Sequence, residues 1–254
     1  MKRSIIILFI LLFTHALIAA DLSADEVMQQ VLAVQNSDSS ALDLRLTLIE
    51  ANGQRRERRI QTISQTKEGK TSTLTVFLSP ESVRNTRFLS LEQDGGTTEQ
   101  WIYLPALKRV RRIGASEEGG SFMGSDFSYA DMASTTYDAD EATHSLLSSQ
   151  GDSYQIASLP DAPTTYGKLV TTVDKRTFLP LRVEFYDLDG KTLLKTLVTE
   201  TIAEIGGRPI AKTMVMTSIF SGHATRLEIL DAKYDLALNP GYFTVTFLET
   251  GRLI

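Results

Sequence analysis

Alternation of apolar and polar residues, broken by turn residues, runs through most of this 254-residue chain. The clearest case is the segment 42–48, in which four leucines alternate with Asp43, Arg45 and Thr47. Successive side chains of a β-strand point to opposite faces, so this pattern predicts a strand with one buried face. Asn52-Gly53 then gives a strong hairpin signal, because both residues accept positive φ. Further strands are predicted at 54–65, 74–78, 87–92, 98–104, 107–113, 144–149, 154–159, 166–174, 181–188, 192–204, 210–218 and 225–234.

So many strands in hairpin order predict a mainly β protein built on a single antiparallel barrel or strongly curved sheet. Ser23 and Glu26 have the spacing of a capping box and predict a helix near the N-terminus. The segment 114–141 interrupts the strands and is irregular but rich in aromatic and methionine side chains. We expect the N-terminal helix and this segment to cover one mouth of the sheet.

Two further helices are predicted from local signals. Ser125 is expected to cap a short helix at 126–132. Asn239-Pro240 is a helix-start signature, which we weigh above the β-favouring residues 244–247 that follow.

The first twenty residues have the layout of a cleavable signal peptide. Lys2 and Arg3 precede the continuously apolar segment 5–13, and two alanines stand before Asp21. An apolar stretch of this length is short for a membrane span, which needs roughly 20 residues. We therefore predict cleavage after Ala20 and export to the periplasm.

Removal of residues 1–20 would leave one predicted domain, 21–254, and take the formal net charge from −5 to −7. An acidic balance argues against nucleic acid as a partner, because nucleic-acid-binding surfaces are basic. The sequence has no cysteine. Disulfides, thiol catalysis and thiolate metal ligation are excluded, and so is a bacterial lipid anchor on a cysteine.

Two central motifs carry a family resemblance. Residues 101–113 read WIYLPALKRVRRI and residues 121–129 read SFMGSDFSY. With the Leu-Pro at 179–180 and the turn YDLDGK at 186–191, they resemble the LolA-like outer membrane lipoprotein-sorting family. The similarity is to the branch often found alongside RND-type transporters.

The resemblance implies an unclosed β-barrel with an α-helical lid over an apolar cavity. It also implies an acylated cargo, either a lipoprotein or a lipid, that is carried between envelope membranes. An inner-membrane RND-type transporter and transient membrane contact are the implied further partners. The resemblance implies no cofactor.

The candidate site residues form three groups. The acyl-binding candidates lie in apolar strand rows, which ordinary core residues would resemble equally; they are Leu44, Leu46, Leu48, Leu74, Val76, Leu78, Trp101 and Tyr103. Trp101 is also open to a purely structural role. The lid or partner-docking candidates are Phe122, Met123, Phe127 and Tyr129. The candidates for contact with an anion or an acidic partner are Arg109, Arg111 and Arg112, for which a solvated sheet edge is the alternative.

No catalytic or metal site is predicted. The chain lacks a Gly-x-Ser-x-Gly motif, a phosphate loop and His-Glu-x-x-His. A carboxylate-rich group near His144 lacks the calcium-loop pattern and is interpreted as solvated loop acidity. Besides the carrier, two hypotheses remain open: a sensor resembling RseB that reports bound lipid or lipoprotein to a protein partner, and an exported hydrolase.

Overall fold

The alternating segments form one large antiparallel sheet. The computed structural model describes residues 22–94, 97–134, 141–162 and 165–252. Within them, thirteen strands belong to a single sheet. Their bounds are β1 Ser39–Ile49, β2 Arg55–Lys67, β3 Lys70–Ser79, β4 Arg87–Glu92, β5 Thr98–Leu104, β6 Arg109–Ile113, β7 Ala142–Ser148, β8 Ser153–Pro160, β9 Lys168–Asp174, β10 Pro180–Tyr186, β11 Leu193–Ile205, β12 Arg208–Ser218 and β13 Ala224–Tyr234.

The strand order is that of two meanders joined at their centre. It runs β6-β5-β4-β3-β2-β1-β13-β12-β11-β10-β9-β8-β7, so the first and last strands pair in the middle. Strands β6 and β7 are the two edges of the sheet and do not pair with each other. The predicted mainly β, unclosed antiparallel fold is therefore confirmed.

The N-terminal helix is confirmed as α1, Ala24–Gln35. Its capping box is complete: the Ser23 hydroxyl accepts from the N–H of Glu26 at 3.3 Å, and the Glu26 carboxylate accepts from the N–H of Ser23 at 2.8 Å. The apolar side of α1 packs against Tyr154 and neighbouring residues of β8 and β9. It buries Val27, Met28 and Val31.

Loss of this cap should weaken α1 selectively. We expect Ser23→Ala to lower the free energy of unfolding by about 1 kcal/mol, because an N-terminal N–H of the helix loses its acceptor. Urea unfolding of this variant and of Ser145→Ala, an exposed serine on β7, measures the difference. Equal stability of the two variants would contradict a structural role for the cap.

The short central helix lies later than predicted. Helix α2 spans Tyr129–Ala133 and is capped by Ser128, not Ser125. Ser128 forms a capping box with Asp131, whereas the Ser125 hydroxyl donates to the carbonyl of Phe122 at 2.7 Å. The spacing to an acidic residue three positions on therefore decides the helix start.

The C-terminal segment is helical, as predicted. Asn239 precedes a 3-10 turn at Pro240–Phe243, and helix α3 follows at Val245–Thr250. The Thr244 hydroxyl accepts from the N–H of Phe247 at 3.1 Å and caps α3. The β-favouring residues 244–247 therefore start a helix, because the Thr244 side chain caps its first turn.

The sheet has two differently covered faces. Its concave face carries α1 and residues 114–134, which follow β6, and the largest buried cluster lies there. Its convex face, over β2 to β6, is covered by α3 and the preceding turn. The predicted signal peptide lies outside the described residues, among which no helix is long and apolar enough to cross a membrane.

Candidate functional site

A segment with an aromatic centre fills one half of the concave face. We call its described part, residues 114–134, the insert. Phe122 is 1% exposed and stands at its centre. Its ring centroid lies 5.1 Å from that of Phe88, 5.7 Å from that of Tyr129 and 5.8 Å from that of Phe77. The insert thus covers concave-face residues of β3 and β4 with its own aromatic side chains.

A buried ion pair fastens the insert to the opposite half of the sheet. The Lys195 ammonium on β11 pairs with the Asp131 carboxylate of α2, and these side chains are 10% and 0% exposed. The Tyr166 hydroxyl donates to Asp131 at 2.9 Å, and the N–H of Ser128 donates to it at 2.6 Å. The ammonium also donates to the carbonyl of Asp126 at 3.2 Å. We call these residues, Asp131, Lys195, Tyr166 and Ser128, the latch.

Further hydrogen bonds tie the insert to other strands. The Asp126 carboxylate accepts from the Thr225 hydroxyl on β13 at 2.7 Å. Gln100 on β5 donates to the carbonyl of Tyr129 at 2.8 Å. Arg58 on β2 donates to the carbonyl of Met123 at 2.5 Å, and burial lowers the pKa of this guanidinium, as does the charge of nearby Arg56 to a smaller extent. The insert therefore bridges both halves of the open sheet.

An apolar cavity of about 260 Å³ lies on the remaining concave face. It is bounded by the C-terminal turn of α1 and by strands β1, β10, β11, β12 and β13. Pockets that enclose drug-sized ligands measure about 300–1,000 Å³, so a long chain would need the cover to move. The apolar lining includes Leu42, Leu179, Val183, Leu197, Ile210, Met214 and Ile229.

A second, polar pocket of about 530 Å³ adjoins the latch. Serine hydroxyls of the insert, Lys195, Phe220 and His223 line it. The buried hydroxyl of Thr165 at its wall has no hydrogen-bond partner within the described part of the chain. This pocket lies at the end of the sheet opposite α1's C-terminal turn.

Leu44, Leu46 and Leu48 lie on the concave face, where they belong to the largest buried cluster with the insert aromatics. Their neighbour on the same face, Leu42, lines the apolar cavity. The structure therefore brings the β1 leucines to the proposed binding face, and their contact with cargo stays a prediction.

The second apolar row lies on the other face of the sheet from the β1 leucines, and its contact with cargo stays a prediction. Leu74 and Val76 lie on the convex face with Trp101 and Tyr103, under the C-terminal turn and helix. The concave positions of β3 are Thr75 and Phe77 instead, and Leu78 is 39% exposed. Trp101 and Tyr103 do share a face, as predicted, but not the face of the β1 leucines.

The four lid candidates all belong to the insert. Phe122, Phe127 and Tyr129 are buried in the concave cluster, and Met123 packs against it. Burial also raises the pKa of the Tyr129 phenol. These side chains contact the sheet directly, and their movement during binding stays a prediction.

The arginine candidates lie on the edge strand β6 and point to both faces, as the alternation requires. Arg111 pairs with Glu117 of the insert, whose carboxylate also accepts from the N–H of Gly114 at 3.1 Å. Arg112 pairs with Glu99 at 2.5 Å. Arg109 is exposed and takes part in none of the ion pairs found within the described residues. Two of the three charges are thus already compensated.

Sequence reasoning missed the latch. A lysine in a strand is ordinarily solvated, and Lys195 carries no motif. The available signal was its position: alternation in 193–198 places Lys195 on the same face as buried Leu197. A charge on an apolar face implies a buried partner, but sequence could not identify Asp131 as that partner.

The unclosed antiparallel sheet with one face covered by helices and an aromatic segment defines the class of fold. Comparisons with known proteins identify the family. A family model whose description reads "Uncharacterized protein" matches residues 69–250. A Vibrio parahaemolyticus domain, assigned by name to outer membrane lipoprotein sorting, is 31% identical with a TM-score of 0.81; the match covers 89% of this chain and 98% of that one. The chain belongs to the LolA-like outer membrane lipoprotein-sorting family.

Two other solved structures are similar over the same extent. A DUF1329 family protein from Desulfovibrio piger is 27% identical with a TM-score of 0.82, over 89% of this chain and 97% of that one. A LolA superfamily protein from Nitrosomonas europaea shares the fold at 20% identity and a TM-score of 0.73, over 90% and 100%. The comparison with curated proteins returned no match.

Proposed function

We propose that this protein is a carrier in the periplasm that binds acyl chains of a lipid or lipoprotein on its concave face. The observation that carries the proposal is the apolar cavity of about 260 Å³ beside the C-terminal turn of α1. The outer membrane lipoprotein-sorting name of the Vibrio relative supports the same class of cargo. An RND-type inner-membrane transporter as donor is part of this proposal.

The physical demand on such a carrier is large. Withdrawing an acyl chain from a membrane costs about 0.8 kcal/mol per methylene, or on the order of 12 kcal/mol for a chain of about 16 carbons. A carrier offsets this cost by enclosing the chain, and it needs no catalytic group. Binding beyond the present cavity volume requires displacement of α1 or of the insert.

A charge placed in the cavity should abolish cargo binding. We expect Met214→Glu to lower the bound lipid per protein at least tenfold, because a carboxylate beside an acyl chain costs several kcal/mol to desolvate. Native mass spectrometry and lipid extraction of detergent-free periplasmic protein measure the bound species.

The matched control is Ile202→Glu, an exposed position on the neighbouring strand β11. It should keep its lipid. A wild-type protein that is empty, and stays empty when offered lipids and lipoproteins, would remove the basis of the carrier proposal. Bound lipid that never passes to acceptor membranes would favour the RseB-like sensor, and turnover of that lipid would favour the hydrolase.

A further inference from the structure

The turns of the sheet alternate between its two ends, because every neighbouring pair of strands is antiparallel. The pairing of Ile49 with Ala224 places the β1–β2 and β12–β13 turns at the same end. We call this end the upper rim, formed by turns 50–54, 80–86, 105–108, 187–192 and 219–223. The lower rim comprises the fully described turns 68–69, 149–152, 175–179 and 206–207.

Large exposed apolar side chains are gathered at the upper rim. The three most exposed in the described chain are Phe220 at 73%, Leu107 at 63% and Leu188 at 57%. Each stands in a different upper-rim turn, and Ile219 beside Phe220 is 47% exposed. None of the four lower-rim turns carries a large apolar side chain of comparable exposure.

Cations accompany two of these side chains. Lys108 and Arg109 follow Leu107, and Lys191 lies in the turn of Leu188. Lys108, Arg109 and Lys191 are exposed and enter none of the ion pairs found among the described residues. The same turns also hold carboxylates, of which Glu50 pairs with Arg56 and Glu81 with Arg84. Positive charge without a paired carboxylate is therefore concentrated beside Leu107, at Lys108 and Arg109.

The turn of Leu188 is held rigidly. The carboxylate of Asp189 accepts from the N–H groups of Lys191 and Thr192, both at 2.8 Å. These bonds, with the Thr192 hydroxyl, lower the pKa of Asp189 to about 2. The negative charge of Asp189 is thus committed to the turn, and Leu188 is presented outward by a fixed backbone.

We propose that the upper rim is the surface by which this protein docks on a lipid bilayer that contains anionic lipid. Protein partners select contiguous apolar patches, whereas these tips are single side chains on three separate hairpins. A fluid interface accommodates such separated tips, with cations placed at the phosphates. The polar pocket beside the latch opens among Phe220 and His223, so docking would occur where the insert is fastened.

The biological role of docking rests on the proposed carrier function, but docking itself is measured without cargo. The probe is a vesicle of phosphatidylethanolamine and phosphatidylglycerol, free of protein. We expect wild-type protein to float with these vesicles, and Leu107→Ser/Leu188→Ser/Phe220→Ser to partition at least tenfold more weakly, since burial of each large apolar side chain is worth about that factor or more.

The matched control removes three exposed apolar side chains outside the upper rim, which are 39%, 54% and 37% exposed: Leu146→Ser/Leu147→Ser/Ile202→Ser. It should float as wild type does, and urea midpoints establish that both triple variants are folded. Lys108→Ser/Arg109→Ser should weaken flotation only when phosphatidylglycerol is present. Equal flotation of the two triple variants, or no flotation of wild type, would overturn the docking surface.

Lipid content of the same preparations separates the two proposals. Protein that contains lipid but does not float would leave the carrier function standing and remove the docking surface. Protein that floats but never binds lipid would do the reverse. A rim variant that keeps bound lipid but transfers it to vesicles about tenfold more slowly would support both.

Discussion

Lys195→Met is expected to lower the free energy of unfolding by about 3–5 kcal/mol, because the buried carboxylate of Asp131 would lose its counter-charge. Asp131 is fully buried and has only the Tyr166 hydroxyl and the N–H of Ser128 as its other partners in the latch. Neither neutralises it. Urea unfolding measures the loss, and hydrogen exchange should show it first in the insert.

The control is Arg226→Met, which removes a cation from the exposed pair with Glu200 on an adjacent part of the sheet. Exposed pairs contribute about 0–1 kcal/mol, so this variant should remain close to wild type. Adding Asp131→Leu to Lys195→Met should recover much of the loss, because no unpaired charge is then buried. If Lys195→Met and Arg226→Met cost the same, the latch does not fasten the insert.

Phe122→Ala is expected to cost about 3–5 kcal/mol and to make the concave face accessible. The ring is 1% exposed and contacts Phe77, Phe88 and Tyr129, so its removal loses burial and leaves a cavity. A shortened insert side chain should also compete less well with an acyl chain for the same surface. Denaturation measures the first effect, and uptake of a fluorescent fatty acid measures the second.

Phe243→Ala applies the same truncation on the convex face, where Phe243 is 9% exposed. We expect this control to be destabilised as well, but to take up the fatty acid at the wild-type rate. Faster uptake in both variants would mean that loosening of the whole sheet, and not the insert, limits access. Slower uptake by Phe122→Ala than by wild type would indicate that the Phe122 ring contacts the bound fatty acid.

The sheet itself followed from the sequence because alternation and turn residues are local properties. The hairpin at Asn52-Gly53, the capping box at Ser23 and the C-terminal helix were all predicted from residues within a few positions of each other. The unclosed form came from the family resemblance. Alternation cannot reveal whether the ends of a curved sheet meet.

The assignment of faces could not be made in the same way. Alternation establishes that Leu74 and Val76 share a face, but not that this face is convex. In β3 both faces are apolar, since Phe77 lies opposite them and a C-terminal helix distant in sequence covers the leucine side. Lys195 illustrates the same limit, because its partner is 64 residues away along the chain. Long-range contacts decide both cases.

The pairing of β1 with β13 at the centre of the sheet has a consequence for folding. Each meander needs only contacts between neighbouring hairpins, which form early because little chain entropy is lost. The central pair joins residues such as Leu44 and Ile229, at opposite ends of the folded chain, and is expected to form late.

Both strands of the central β1–β13 pair line the apolar cavity. Leu42 belongs to one meander and Ile229 to the other. A half-folded chain therefore has no enclosed site, even when its local hairpins are complete. The ability to hold an apolar ligand should appear in a single step at the end of folding, when β1 pairs with β13.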